Sequence, residues 1–298
     1  MGIVRSKYYG IIRGVTVGIS FFLQIGLMIF LAMYLMRYSI IAYFIFEIVS
    51  VITVFALVNN AEAYKMSWIV IILVLPVSGL FLYFMWGRKR VNSRYFRRLR
   101  DYDNQMVQSL KQGDSIVQDL ERQHPNKVQI SRYLRKEGFP IYNNTKASYY
   151  RVGEDVFAAM LEDLRNAKKF IFMEYFIVDE GLMWGKILEI LARKAKAGVD
   201  VRVMYDGSCE FALLPRDYPR RLKALGIKCK VFAPVSPFVS THYNYRDHRK
   251  ILVIDGHTAF NGGVNLADEY INEKKKFGHW KDVAVMVKGE AVKSFTLM

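Results

Sequence analysis

Residues 244–265 read NYRDHRKILVIDGHTAFNGGVN, and within them His248, Lys250, Asp255 and Asn265 stand at short intervals. Each residue type has a use on a phosphodiester. A neutral imidazole, with an ordinary pKa of about 6.5, is available near neutral pH to attack phosphorus. The covalent phosphohistidine that results splits one hard displacement into two easier ones. Lys250, two residues on along a strand, shares a face with His248 and can neutralise a non-bridging oxygen. Asn265, after Gly262-Gly263 read as a flexible turn, can donate a side-chain hydrogen bond to the same phosphate. Asp255 is either a carboxylate that orients a histidine or a structural turn residue. A lone histidine or a strand-end lysine is most often structural. The combination, at fixed spacing through to Asn265, is what points to a pocket for an anionic, phosphoryl group.

The surrounding elements have to build that pocket. Ile251-Leu252-Val253-Ile254 is an unbroken apolar run and reads as a buried strand, followed by the hairpin-turn pair Asp255-Gly256. Further strands are expected at Lys169–Val178, Asp200–Tyr205, Lys228–Phe232 and Thr258–Asn261, with Lys281–Val287 alternating like an edge strand. Apolar spacing predicts helices over Glu154–Ala167, Leu182–Ala197 (stopped by Gly198) and Pro219–Leu225, and a helix start at Leu266–Ile271. Strands alternating with helices predict an α/β domain whose sheet is covered by helices on both faces. Residues 101–146 are polar and mixed, with a helix-compatible piece at Asn104–Arg122, and read as a connector.

Upstream, the composition changes. The chain has 298 residues, a hydrophobic fraction of 52% and a net charge of +16, and its apolar residues concentrate before Gly87. Residues 11–36, 38–58 and 67–86 are apolar runs, and about 20 helical residues cover a hydrocarbon core of roughly 30 Å. Trp68 and Trp86 bracket the third run as interfacial anchors. The GRKRVNSRYFRRLR stretch that follows places everything after it in the cytoplasm by the positive-inside rule, whereas Arg5, Lys7 and Arg13 oppose an external N-terminus. Glu47 inside the second run is either a functional acid or one bonded between helices. The basic balance implies an acidic partner. Cys209 and Cys229 form no C-x-x-C pair and read as packing residues, with no metal signature and no disulfide framework.

The order H-x-K-(x)4-D-(x)6-G-[GS]-x-N is the motif of the phospholipase D superfamily, and His248, Lys250, Asp255, Gly262, Gly263 and Asn265 fill it. The form NYRDHRKILVIDG…GGVNLADEYI resembles the bacterial cardiolipin synthases, as do Lys65, Trp68, Pro76, Gly79, Tyr83, Gly87 and the MEYFIVDEG and VRVMYDG segments. The resemblance implies a phospholipase D-like sheet flanked by helices, preceded by two to three transmembrane helices. It implies transfer of a phosphatidyl group between two phosphatidylglycerol molecules, giving cardiolipin and glycerol through a phosphohistidine. His248 would then be the nucleophile, Lys250 and Asn265 phosphate ligands, and Asp255 the supporting carboxylate. Glu174 and Asp206, on matching segments, would line the site or support it from behind. No cofactor or metal is implied.

The family carries two such motifs, which build one site, and this sequence has one. It therefore reads as an N-terminal portion of a longer protein, or as a half-protein that needs a homodimer partner. The expected layout is an extra apolar segment at 1–36, a membrane hairpin at 37–87, a basic juxtamembrane stretch and connector at 88–148, and a first half-domain at 149–298. The expected partners are anionic phospholipid, the cell membrane and a second motif half, with no nucleic acid. The alternatives are a dimeric hydrolase or nuclease using the same chemistry, or an inactive half-protein.

Overall fold

The computed structural model describes residues 115–234 and 246–298 without interruption and, of the preceding chain, parts of residues 15–110. It divides into two compact units, residues 7–91 with 235–245, and residues 92–234 with 246–298 and Met1–Ser6.

In the first of these, helix α1 (Ile40–Val58) packs against α2 (Ala63–Val74). Ile69 and Ile72 are buried there, with Val54, Trp68 and Tyr83 around them. Gly79 lies against the backbone of α2, where an added Cβ would stand 2.6 Å from the Ile71 carbonyl oxygen, so a side chain does not fit. Large apolar side chains remain exposed, among them Phe22, Leu27, Phe30, Ile41 and Phe44. Among the described residues no helix is long and apolar enough to cross a membrane. The expected spans at 11–36 and 67–86 fall partly outside the described residues. Trp86, Pro76, Gly87 and the basic stretch through Arg98 fall wholly outside them.

In the other unit, helical residues 104–109 precede α3 (Ser115–Gln123) and α4 (Val128–Lys136). The single helix expected over Asn104–Arg122 is not continuous, since a turn falls at Leu110. There follow β1 (Thr145–Tyr150), α5 (Gly153–Asn166), β2 (Phe170–Tyr175), α6 (Leu182–Lys196), β3 (Asp200–Asp206), α7 (Cys209–Ala212), α8 (Tyr218–Ala224) and β4 (Lys228–Phe232). The chain then forms β5 (Lys250–Ile254), β6 (Thr258–Gly262), β7 (Ala284–Gly289) and α9 (Val292–Leu297). The seven strands make one sheet in the order β1-β7-β6-β5-β2-β3-β4. β2, β3 and β4 run parallel, and β5, β6, β7 and β1 continue antiparallel from β2.

Two expectations change here. The strand near 281–287 is interior, lying between β6 and β1, and the edge is taken by β1. The sequence TKASYY of β1 has no apolar alternation, and its residues are mostly exposed, as suits an edge strand. The segment after Asn265 forms a single 3₁₀ turn, Asp268–Ile271, instead of starting an α-helix.

Side-chain alternation divides the sheet into two layers. Ile171, Met173 and Tyr175 of β2 and Leu252 and Ile254 of β5 face a large core closed by α5 and α6. Phe170 and Phe172 of β2 and Ile251 and Val253 of β5 face the other way, against Val292 and Phe295 of α9. The two strands pair with Lys250 opposite Tyr175 and Ile254 opposite Ile171. Asp255 therefore sits at the start of β2, whereas Lys250 sits at its end. Its carboxylate accepts the backbone N–H groups of Lys168 (2.8 Å), Lys169 (2.7 Å) and Phe170 (2.9 Å). Its own backbone is left-handed, at φ 54°. Burial opposes its charge, but the three backbone donors hold the carboxyl below the ordinary aspartate range.

A group held below its ordinary pKa stabilises the fold above that value, and the stabilisation disappears as pH falls through the folded-state pKa. Asp255→Ala is expected to cost about 2 kcal/mol, on the scale of hydrogen bonds to a charged group. It should also flatten the acid limb of stability against pH. Urea unfolding at neutral and at acid pH checks both. An unchanged midpoint would remove Asp255 from the fold's supports.

Candidate active site

The site forms where β2 and β3 end and β5 begins, an end of the sheet at which three loops meet. Asp206, the last residue of β3, is fully buried. Its Oδ1 accepts Arg246 Nη1 at 3.1 Å and Ser208 N at 2.8 Å, and its Oδ2 accepts the backbone N–H of Asp247 at 3.1 Å. A buried carboxylate with partners on both oxygens is well satisfied. Two of its three partners are the residues before His248, so Asp206 fixes the path by which the chain enters β5.

From that fixed entry the residues alternate. His248 is exposed, and its ring lies 4.7 Å from that of Phe176, the residue following β2. Lys250 is buried at 6% exposure. Its ammonium donates to the His248 carbonyl oxygen at 2.6 Å and lies 5.3 Å from the centre of the Phe176 ring. Burial pushes the Lys250 ammonium below its ordinary pKa, and the charges of Asp282 and Asp247 oppose that shift. His248, Lys250 and Phe176 thus form one cluster.

Asn265 joins it from the far side. The segment after β2 pairs with the segment after β6, through Leu266 N to Ile177 O at 3.1 Å and Asp179 N to Leu266 O at 3.0 Å. Asn265 is 2% exposed. Its Oδ1 accepts Ile177 N at 2.9 Å, which fixes the orientation of the amide, and its Nδ2 donates to the Tyr270 hydroxyl at 2.8 Å. One of its two amide hydrogens is engaged in this way. Cys209 holds the same loop, donating from Sγ to Phe176 O at 3.1 Å, and burial pushes its thiol up to about 12. It is a packing residue.

Gly262 and Gly263 have a different reason from the expected flexibility. Neither takes a left-handed φ. A Cβ on Gly263 would collide with the Asp282 carboxylate, and one on Gly262 with the Val283 carbonyl. Gly263 leaves room for the Asp282 carboxylate, and Gly262 for the backbone at Val283 where β7 approaches.

Asp255 is corrected. It stands at the opposite end of β2 from His248, because strand β5 separates them in full. Its carboxylate bonds the backbone N–H groups of Lys168, Lys169 and Phe170, the arrangement of a structural turn residue. Glu174 lies on β2 opposite Ile251, on the sheet face away from Lys250. There it meets the side chains flanking His248. Arg249 Nε is 3.0 Å from Glu174 Oε1, though without hydrogen-bond alignment, and donates to Asp247 Oδ1 at 3.2 Å. Burial pushes Glu174 up, helped by its hydrogen bond with Asp247 and opposed by Arg249. Asp247 is held low despite its burial, by hydrogen bonds from Glu174 and Arg249. Burial and the neighbouring Asp247 thus both favour the protonated form of Glu174.

Phe176 and Asp282 were missed from the sequence. Phe176 lies within the MEYFIVDEG segment but is not set apart there from its apolar neighbours, and an aspartate before a strand carries no motif signal. A possible clue to Asp282 was the glycine pair, which demands a close neighbour. Among the described residues no group of three or more His, Cys, Asp or Glu side chains is placed to hold a metal ion.

The chain is similar to known proteins over much of its length. Residues 160–292 match the family described as cardiolipin synthase, PLD-like domain, and residues 48–88 match phospholipase D-nuclease N-terminal. An uncharacterized protein of Streptococcus mutans is 51% identical over 234 residues, covering 78% of this chain and 50% of its own length. Cardiolipin synthase 2 of Bacillus cereus is 34% identical over 242 residues, covering 80% of this chain and 47% of its own. The chain thus spans about half the length of the curated relatives it matches. Among solved structures, phosphatidylserine synthase of Haemophilus influenzae Rd KW20 is 18% identical, covers 50% of this chain and 35% of its own, and has a TM-score of 0.41.

Glu174's raised pKa makes a signed prediction. The stability it contributes is fully present below the ordinary glutamate value and is lost as pH rises through its folded-state pKa, when a second charge appears beside Asp247. Glu174→Gln keeps the hydrogen and cannot ionise. From about pH 5 to about pH 9 its melting temperature should fall less than the wild type's. Parallel curves would show that Glu174 does not titrate with a raised pKa.

Proposed function

Since residues 160–292 place the chain in the phospholipase D-like family of the cardiolipin synthases, we propose that it carries the first half of a phosphatidyltransferase site. The observation that carries this reading is the cluster of an exposed His248 over a buried Lys250 ammonium, with Asn265 across the Phe176 loop. In the proposed reaction a ring nitrogen of His248 attacks the phosphorus of phosphatidylglycerol. The bond from phosphorus to the glycerol headgroup breaks, and the departing oxygen takes a proton from the acid of a second motif half. Lys250, and the second amide hydrogen of Asn265, stabilise the phosphoryl oxygens as charge builds on them. A hydroxyl of a second phosphatidylglycerol then attacks the phosphorus of the phosphohistidine and returns a proton to that acid. The bond from phosphorus to His248 breaks, and cardiolipin leaves with His248 restored.

Asp206 and Glu174 are positioning residues in this scheme, because they touch the flanks of His248. The second half is supplied by further sequence or by another copy of this chain. The exposed apolar side chains of the N-terminal helices support a membrane location. The protein is read as multi-pass in the cell membrane, with the site on the cytoplasmic side.

Incubated with phosphatidylglycerol vesicles, the protein with both motif halves present is expected to form cardiolipin and release glycerol in equal amounts. His248→Ala should reduce this to background, and Lys250→Ala should lower turnover about 10²-fold or more. Phosphatidic acid as the sole product would mean that water is the acceptor and the protein a hydrolase. Full activity in His248→Ala would remove the nucleophile assignment.

A further inference from the structure

Between the candidate site and β7 the chain makes a loop whose construction is not needed for the chemistry. Residues Glu273 to His279 are all exposed, and they follow Asn272 and precede Trp280. The neck is closed by one side chain. Asn272 Oδ1 accepts Trp280 N at 2.7 Å, while its Nδ2 donates to Trp280 O at 2.9 Å and to Glu154 Oε1 at 2.6 Å. Asn272 itself is left-handed, at φ 57°, a conformation asparagine tolerates better than most residues. The loop is therefore held out from a fixed base, in the manner of a compact Ω-type loop.

Its outer surface combines two kinds of group. Lys274, Lys275 and Lys276 stand in sequence against the single acid Glu273. Phe277 is 69% exposed, although a phenyl ring is normally among the better buried side chains. Its ring lies 5.7 Å from that of Trp280 and 5.3 Å from the Lys276 ammonium, so the aromatic and basic groups form one patch. Trp280 in turn packs on Tyr270 at 5.2 Å. Beneath the patch, Asp179 lies 4.0 Å from Lys274 and Glu269 lies 3.4 Å from Lys276. These acids pair with the ammonium groups of Lys274 and Lys276, whose side chains are still 58% and 41% exposed, and Lys275 stands exposed between them.

We propose that the loop Glu273–His279 is a membrane-docking element that seats Phe277 among the headgroups of an anionic bilayer, with Lys274, Lys275 and Lys276 on the lipid phosphates. Basic residues around an exposed aromatic match such a surface in both charge and polarity. Both ends of the loop are wired to the candidate site. Tyr270 accepts the hydrogen bond of Asn265, and Asp282, two residues after Trp280, is the group against which Gly263 packs. Docking would thus present the phosphate-binding groups to a lipid headgroup at the depth where its phosphodiester lies. The inference rests on the reading that the substrate is a bilayer phospholipid.

The test uses the whole chain in nanodiscs, with His279→Cys labelled by an environment-sensitive dye. Burial pushes the native thiols of Cys209 and Cys229 each up to about 12, so the added exposed cysteine labels selectively. In phosphatidylglycerol discs the label is expected to emit at shorter wavelength and to resist iodide quenching. In phosphatidylcholine discs it should do neither. A control label at Lys196→Cys, exposed at the end of α6, should stay quenched in both. Adding Phe277→Ser, or Lys274→Glu with Lys275→Glu, should remove the protection. A label equally quenched in both discs overturns the proposal, as does protection by an oligonucleotide alone or protection unaffected by these variants. None of these readouts requires turnover. An inactive protein with a buried label would sink only the transferase reading, and an active one with a quenched label only the docking loop.

Discussion

The arrangement of the site depends on one buried carboxylate. Asp206 ends β3 with no solvent contact and spends its oxygens on Ser208, Arg246 and the backbone of Asp247. Without those bonds nothing in β5 itself decides how its first residues leave the sheet, since the ladder with β2 begins only at Lys250. Asp206 extends the order of the sheet by several residues, as far as the histidine. A charge in such a place is costly unless fully paired, and here the pairing is the reason for its presence.

With the entry fixed, pleating sorts the side chains. His248 and Lys250 turn toward Phe176 and the face carrying α5 and α6, while Asp247 and Arg249 turn toward Glu174. One short segment therefore serves the His248, Lys250 and Phe176 cluster in front and the Glu174 and Asp247 carboxyls with Arg249 behind. The front is half solvated and holds its cation by a carbonyl and an aromatic face. The rear is more enclosed, and burial, with Asp247 beside it, raises the pKa of Glu174 against the opposing charge of Arg249.

Much of this was legible in the sequence where burial writes a strong pattern. Lys228–Phe232 and Lys250–Ile254 are strands over the residues expected, and the helices α5, α6 and α8 shift by a residue. Apolar runs and helical spacing report directly on a core. β1 was not legible, because TKASYY is held by its ladder to β7 and not by its own composition. The edge was assigned to the wrong strand for the same reason, since strand order is a property of distant pairings. At the site, residue types and spacing located His248, Lys250 and Asn265, but could not say which side chains would be neighbours. Phe176 and Asp282 enter through such neighbourhood alone. Asp255 carried two readings until the register of β5 on β2 separated it from the histidine.

That separation gives the spacing of the motif a geometrical meaning. Lys250 faces the last residue of β2, and Asp255 ties down the backbone just before and at its first residue. The four residues between them are a ruler cut to the length of the neighbouring strand. Adding one residue to β5 would leave either the lysine or the aspartate on the wrong face and past the end of its partner. A pattern that looks like a catalytic list in one dimension is, in part, a record of how long a strand must be.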